Sequence, residues 1–203
     1  MEGVDKKLLT GNAMKRKVKV KSATTVYTFA YLRAAGWRAL EEAKQNEKGR
    51  FYKCMISQLF SAFCLEAYLN HIGNEKIPDW EKSERKLSPK EKLEIISHEI
   101  GCKINYEERP FQTFKAIFKL RNELVHGKTK FTSESNEQII EGDETPVISQ
   151  ENWQDYINVE SAIKFSEDTK EILETLNLKA GFDPSVLLVQ ETNDWWVFPA
   201  ETE

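Results

Sequence analysis

The segment from about residue 48 to 72 places the strongest constraint on the fold, because it is predicted to form a helix that is apolar around most of its circumference. Its apolar residues are Phe51, Met55, Ile56, Leu59, Phe60, Ala62, Phe63, Leu65, Leu69 and Ile72. A helix of this kind is normally buried by several neighbouring elements. We expect it to end at Gly73, because glycine commonly follows the last turn of a helix. The segment therefore predicts a helical bundle with this helix at its centre.

Four further stretches have helical spacing and are expected to surround the central helix. They are residues 25–45, a short helix from Ser88 to Gly101, a helix opened by Pro110 and closed by Gly127, and residues 158–180 before Gly181. Ser88 and Glu91 also have the spacing of a capping box. The fold class predicted is all-α, an up-and-down bundle of four or five helices, with a short strand or extended arm at the termini.

The chain divides by composition into a basic N-terminal arm (1–24), a single helical bundle (25–180) and an aromatic C-terminal tail (181–203). The bundle contains a polar, acidic insert at 128–155, where residues 131–155 hold seven acidic side chains and no basic one. Such a composition predicts a loop or a lid. The tail has strand-like composition, so it is expected either to pair with the basic arm or to cover the bundle.

The charge of the chain argues against a protein that coats nucleic acid. The formal net charge is −4 and the pI is about 5.6, whereas such proteins are strongly basic. Any contact with nucleic acid must therefore be local. In the stretch "MKRKVKVK", Lys15, Arg16 and Lys17 are candidate RNA contacts. The alternative is that this stretch is a solvated arm with no ligand.

Cysteine usage and hydropathy indicate a cytoplasmic protein. Cys54, Cys64 and Cys102 lie within helical patterns and lack the C-x2-C spacing of a zinc site, so we expect reduced, buried thiols. No apolar run follows the basic N-terminus, and nowhere do about 18 apolar residues occur together. The sequence predicts neither export nor a membrane partner, and it indicates no metal and no cofactor.

The stretch "LRNELVHGK" (120–128) contains the residues that most invite a functional interpretation. Arg121 falls within the apolar arc of its helix, and Asn122 and His126 lie one turn apart on the flank. A guanidinium on a core-facing side needs an anion, because an unpaired buried charge is costly. Glu66 lies in the apolar arc of the central helix and could supply it. In a purely structural interpretation, Arg121 and Glu66 form a salt bridge and His126 caps the helix.

These residues resemble the HEPN superfamily of helical-bundle proteins, which includes toxin–antitoxin, abortive-infection and CRISPR-associated proteins. The mark of that family is R-x4–6-H near the end of a bundle helix, usually with Asn, Asp or His directly after the arginine. Arg121, Asn122 and His126 match these positions. The segment 62–73 resembles the central helix of the family, with Glu66 as its acidic residue. The resemblance covers residues 25–127 and extends less clearly to 180.

The resemblance implies a metal-independent endoribonuclease that cleaves single-stranded RNA by attack of the 2′-hydroxyl. Arg121, Asn122 and His126 would be the catalytic residues, with Glu66 in support. Histidine exchanges protons near neutral pH, and the fork of arginine suits phosphate oxygens. In the family a homodimer completes a composite active site, and a cognate antitoxin often accompanies the toxin. These implications make RNA the expected substrate and a toxin or phage-defence role the expected context.

The sequence departs from the family at one position and leaves other functions open. Some minimal HEPN toxins carry a modifiable tyrosine two residues after the histidine, where this chain has Lys128, a candidate RNA contact. A non-catalytic HEPN-like module that binds RNA, a nucleotide or a protein is the alternative function, and a purely structural bundle is a third. The acidic insert has two interpretations, a mobile lid over the cleft or an ordinary solvated loop.

Overall fold

The computed structural model describes residues 17–129, 131, 137–143 and 152–199. The described residues form two compact units, a two-stranded ribbon and a helical unit that spans Tyr27–Gln190. Within these residues the chain is mainly α-helical with one small sheet. The predicted helical class is therefore confirmed in its coarse form.

The helical unit contains six α-helices within the described residues. They are α1 (Thr28–Gln45), α2 (Arg50–Lys76), α3 (Pro89–Glu99), α4 (Phe111–Val125), the single turn α5 (Asn152–Asp155) and α6 (Val159–Ala180), with short 3-10 turns at Trp80–Lys82, Glu84–Lys86 and Pro184–Leu187. As predicted, α2 is the central helix and packs against α1, α3, α4 and α6. Its outer side nevertheless leaves Tyr52, Ile56 and Phe63 exposed, so α2 is less completely enclosed than its composition predicts.

The core lies where α2 meets the surrounding helices. Its largest fully buried side chains are Tyr68, Phe29, Phe114, Leu65, Leu69, Ile72, Leu93, Ile96, Ile117, Ile172, Leu173 and Leu176. Burial of an aliphatic or aromatic side chain contributes roughly 1.5–3 kcal/mol to folding. The Tyr68 hydroxyl reaches Asn177 Oδ1 on α6 at 2.8 Å, so the one polar atom of this large ring is also satisfied.

The prediction that Gly73 ends the central helix is wrong, because α2 continues to Lys76. A Cβ atom at Gly73 would lie 2.2 Å from Trp80 Cε2. The glycine therefore makes room for the buried indole ring of Trp80, which folds back against α2. Gly181, by contrast, does end α6, with φ +70°, in the left-handed region that glycine adopts readily.

Two other predicted helix starts move by a few residues. The helix predicted from residue 25 begins at Thr28, because Thr24, Thr25 and Val26 extend the preceding strand; β-branched residues favour strands. Pro110, expected at the first helical position, instead precedes Phe111. The capping box at Ser88 is confirmed, since Ser88 and Glu91 exchange hydrogen bonds.

The C-terminal part of the acidic insert, together with the two residues that follow it, is more structured than predicted. Trp153 in α5 is half-buried and packs against the core, and Ile157 is buried. The backbone oxygen of Tyr156 accepts a hydrogen bond of 2.7 Å from Gln58 Nε2 on α2. Residues 130, 132–136 and 144–151, which make up half of the insert at 128–155, lie outside the described residues.

One segment near each terminus contributes a strand to the second unit, the ribbon. Strand β1 (Val18–Val26) pairs antiparallel with β2 (Glu191–Pro199), with Val18 opposite Pro199 and Val26 opposite Glu191. Two arrangements were expected for the tail, and the structure shows the first of them, pairing with the basic arm. The boundary lies at Gln190, so residues 181–190 of the predicted tail belong to the helical unit, where Leu187 is buried.

Candidate functional site

The end of α4 presents the predicted motif at the edge of the helical unit. Phe114, Ile117 and Leu120 are buried and fix the orientation of the helix. The helix ends at His126, which has non-helical φ −103° and ψ 12° and donates its backbone N–H to Asn122 O at 2.9 Å. A Cβ at Gly127 would lie 3.0 Å from Glu123 O, so glycine suits this tight helix end.

Arg121 is the only motif residue that is largely buried, with 18% of its side chain exposed. Its Nη2 donates to Glu66 Oε2 at 2.8 Å, and its Nη1 donates to Asn122 Oδ1 at 2.9 Å. The guanidinium also lies 5.5 Å from the centre of the Phe118 ring, within range of a cation–π contact. The predicted pairing of Arg121 with Glu66 is thus present.

Lys92 on α3 completes this cluster, and the sequence reasoning missed it. Its side chain is only 4% exposed, and its Nζ lies 3.3 Å from Glu66 Oε1. One carboxylate therefore stands between two cations. A lysine on a short, polar helix is usually solvated, but Lys92 precedes Leu93 by one residue and Ile96 by four, which places it on the inward flank. That spacing is the sequence feature from which the burial of Lys92 could have been predicted.

The Glu66–Lys92–Arg121 cluster carries one positive charge in excess of its acid. Arg121 Nε is also buried without a hydrogen-bond partner among the described residues. A buried cation that is only partly neutralised favours an anion nearby. The cluster thus places a net positive charge beside the end of α4.

His126 and Asn122 are exposed and their side chains are not joined. Asn122 Oδ1 accepts from Arg121, and within the described residues the His126 imidazole makes no hydrogen bond or ion pair. Both are accessible to a ligand at the helix end, as is the exposed Lys128. The structure therefore brings Arg121, Asn122 and Glu66 into direct contact and leaves His126 one helical turn away from Asn122.

The basic arm residues are separate from this cluster in the chain. Lys17 is exposed and immediately precedes β1 in the ribbon unit. Lys15 and Arg16 lie outside the described residues. Their predicted contact with RNA stays a prediction.

A second polar cluster fixes the start of α4. Asp168 on α6 is 1% exposed, and Arg109 Nε reaches its two carboxylate oxygens at 2.9 and 3.0 Å. Thr113 also donates a hydrogen bond to Asp168. The hydrogen bond and the charge of Asp168 raise the pKa of Arg109. Because this carboxylate is fully paired, we assign the cluster to the positioning of α4 against α6.

His71 on α2 is enclosed by four aromatic rings. The ring centres of Phe29 and Phe182 lie 5.3 and 5.4 Å away, and those of Tyr27 and Tyr68 both lie at 5.9 Å. Burial lowers the pKa of His71, partly opposed by the charge of Glu75. The imidazole is therefore kept neutral inside an apolar enclosure, which is a structural role.

The lowered pKa of His71 predicts acid sensitivity of the fold. The unfolded chain binds a proton at this histidine before the folded chain does, so stability is retained above the unfolded pKa of about 6.5 and lost as the pH falls through the folded value. We expect the melting temperature to fall between pH 7.5 and 5.5, and to fall less in His71→Phe. His98→Ala, at an exposed histidine on α3, is the control and should keep the wild-type slope. An unchanged slope in His71→Phe would contradict this assignment.

Other features of the described residues do not add to the motif. An open groove of about 470 Å³ lies between α1 and α2, and its lining includes Arg38, Lys53 and Ile56 but none of the motif residues.

Cys54, Cys64 and Cys102 are buried and free, as predicted, and burial raises the pKa of Cys64 to about 12. The described residues contain no group of three His, Cys, Asp or Glu side chains placed to hold a metal ion. None of the described helices combines the length and the apolar character needed to cross a bilayer.

Comparisons with models of protein families, with characterised proteins and with solved structures found no match to this chain. The geometry at the end of α4, and the resemblance of its residues to the HEPN motif, are therefore the features that point to a function.

Proposed function

We propose that the chain is a metal-independent endoribonuclease of HEPN type that cleaves single-stranded RNA. The observation that carries the proposal is that Arg121, anchored by Glu66 at 2.8 Å and by Asn122 at 2.9 Å, lies five residues before the exposed His126 at the same helix end. An anchored guanidinium can stabilise the charge on the phosphate and an accessible imidazole can take the proton of the 2′-hydroxyl, which are two of the tasks in this cleavage.

The residues have distinct tasks in this reaction. His126 takes the proton of the 2′-hydroxyl as the 2′-oxygen attacks the adjacent phosphorus. Arg121 stabilises the charge that develops on the phosphate oxygens, and Asn122 can donate its free amide hydrogens to the same group. The bond from phosphorus to the 5′-oxygen breaks, and that oxygen takes up a proton. The products are a 2′,3′-cyclic phosphate and a 5′-hydroxyl.

A second histidine would serve as the acid for the leaving oxygen, and a homodimer would supply it. Of the other two histidines in the chain, His71 is enclosed by aromatic rings and His98 lies on α3; neither contacts Arg121 within the described residues. A two-fold axis beside α4 would bring the motifs of two subunits to one cleft. Val125, next to His126, is 57% exposed and would gain cover from such contact. A toxin or defence role, with a cognate antitoxin, belongs to this proposal.

The first experiment tests cleavage of a single-stranded RNA by the purified protein in the presence of EDTA. We expect fragments to accumulate with wild-type protein, and we expect Arg121→Lys to lose at least about 10²-fold in rate, since a lysine cannot reproduce the planar fork. Full activity in Arg121→Lys would remove Arg121 from the reaction. No cleavage by the wild-type protein would leave the second candidate function below.

The second candidate is a non-catalytic module that binds RNA, a nucleotide or a protein. It is favoured by the pairing of Arg121 with Glu66, which occupies part of the guanidinium and leaves the side chain only 18% exposed. This candidate predicts binding without turnover, and an affinity that His126→Ala does not change.

A further inference from the structure

The ribbon of β1 and β2 sorts its side chains onto two different faces. Residues directly opposite each other in an antiparallel pair share a face, and neighbours along a strand alternate. The register pairs Lys19 with Phe198 and Lys21 with Trp196, which puts two lysines and two aromatic rings on one side. We call these four residues the basic–aromatic face.

The opposite side of the same stretch is uncharged. Val20 pairs with Val197, and Trp195 pairs with Ser22. The adjacent residues Trp195 and Trp196 therefore point to opposite faces of the ribbon. This alternation supplies a matched pair of tryptophans, one on each face.

The aromatic rings of the basic–aromatic face are accessible within the ribbon. Trp196 is 50% exposed and Phe198 is 43% exposed. Lys21 Nζ lies 5.7 Å from the centre of the Phe198 ring, so the cation and the ring form one surface. Two rings placed two residues apart on a strand are separated by roughly 7 Å, which leaves each ring able to receive a separate planar group.

The charges of the ribbon are segregated along its length. Lys19 and Lys21 lie at the end that carries Trp196 and Phe198, whereas Glu191 lies at the other end, opposite Val26. Asp194, opposite Ala23, shares the face of the lysines but lies two residues beyond Trp196, so the two lysines outnumber it there. In the part of the ribbon that the structure describes, no carboxylate therefore pairs across the strands with either lysine. In a chain with a net charge of −4, this is a local positive surface.

We propose that the basic–aromatic face binds single-stranded RNA, with unpaired bases stacked on Trp196 and Phe198 and phosphates contacted by Lys19 and Lys21. Aromatic rings on a sheet with cations beside them bind unpaired bases without a fixed sequence, because every base offers a π-face. A duplex hides those faces, so it binds less well. The choice of RNA over DNA rests on the proposed function, whereas the stacking surface does not.

The test measures the binding of a fluorescein-labelled 12-residue oligouridylate by fluorescence anisotropy, with full-length protein that carries His126→Ala to prevent cleavage. Stacking contributes about 1–3 kcal/mol per base, so Trp196→Val is expected to weaken binding by roughly 5- to 150-fold. Trp195→Val, its neighbour on the opposite face, should change the affinity less than twofold. Valine keeps strand propensity at both positions, and Trp196→Phe, which retains a ring, should restore most of the affinity.

Salt dependence provides an independent readout for the lysines. Each phosphate contact to a single strand contributes about −0.7 to the slope of log K against log salt. Replacing Lys19 and Lys21 with glutamine should therefore reduce the slope by about 1.4. An unchanged slope would remove the lysines from the interface.

The outcomes separate this proposal from the nuclease proposal. Equal losses in Trp195→Val and Trp196→Val, absent RNA binding, or binding of DNA alone would overturn the RNA-binding face even if the protein cleaves RNA. Self-association of the protein that Trp196→Val abolishes would assign the face to a protein contact instead. Binding that depends on Trp196, in a protein that never cleaves RNA, would keep the face and discard the nuclease.

Discussion

Replacing His126 with alanine is expected to lower the rate of RNA cleavage by about 10²- to 10⁴-fold, the usual contribution of a general acid or base. The melting temperature should stay within about 2 °C of wild type, because surface substitutions rarely change stability by more than about 0.5 kcal/mol. The His126 side chain is exposed and makes no hydrogen bond within the described residues. A large loss of rate without a loss of stability is the mark of a chemical role.

The matched control for this variant is His98→Ala, an exposed histidine near the end of α3. It should cleave RNA at the wild-type rate. Initial rates in EDTA and thermal melts of all three proteins make the comparison. If His126→Ala cleaves as fast as His98→Ala, then His126 takes no part in the reaction and the motif only ends a helix.

Replacing Glu66 with leucine is expected to destabilise the fold by about 3 kcal/mol, the lower end of the range for breaking a buried pair. The reason is Lys92, whose side chain is only 4% exposed and whose ammonium would lose its carboxylate partner. Because 30% of the Glu66 side chain is exposed, water replaces part of the lost interaction and keeps the effect at that lower end. For a chain of this length, the loss corresponds to a fall in melting temperature of roughly 6–12 °C.

The control for Glu66→Leu is the added substitution Lys92→Met, which removes the stranded charge and keeps the length of the side chain. The double variant should recover most of the lost stability, because an apolar replacement of a buried ion pair is often neutral. Urea unfolding of the two single variants and the double variant gives the coupling energy. Strictly additive losses would contradict a charge cluster. Cleavage by the recovered double variant should remain below wild type, since Arg121 has lost its anchor.

The pairing of Arg121 with Glu66 could be predicted because both charges interrupt apolar arcs on their own helices. The burial of Lys92 beside Glu66 could not be predicted in the same way. A lysine beside a core usually extends its ammonium to water, and only the position of α3 against α2 keeps this one buried. The Asp168–Arg109–Thr113 cluster was missed for a similar reason, since its partners are distant in sequence.

The predicted helices were more reliable than their ends. Gly73 carries the sequence signal of a helix stop, yet its role depends on Trp80, which follows seven residues later and packs back onto it. For the ribbon, composition indicated strands at both termini. Alternation along a strand places Trp195 and Trp196 on opposite faces. The register that puts Trp196, and not Trp195, on the face of Lys19 and Lys21 follows from pairing between strands distant in sequence, which local sequence does not encode.

We propose that the end of α4 cleaves RNA through the 2′-hydroxyl. The most direct test uses a DNA oligonucleotide that contains one ribonucleotide, incubated with wild-type protein in EDTA and analysed by mass spectrometry. We predict a single cut on the 3′ side of the ribose, with a 2′,3′-cyclic phosphate on one fragment and a 5′-hydroxyl on the other. No cut, cuts at deoxyribose positions, or fragments with a 5′-phosphate would contradict the claim.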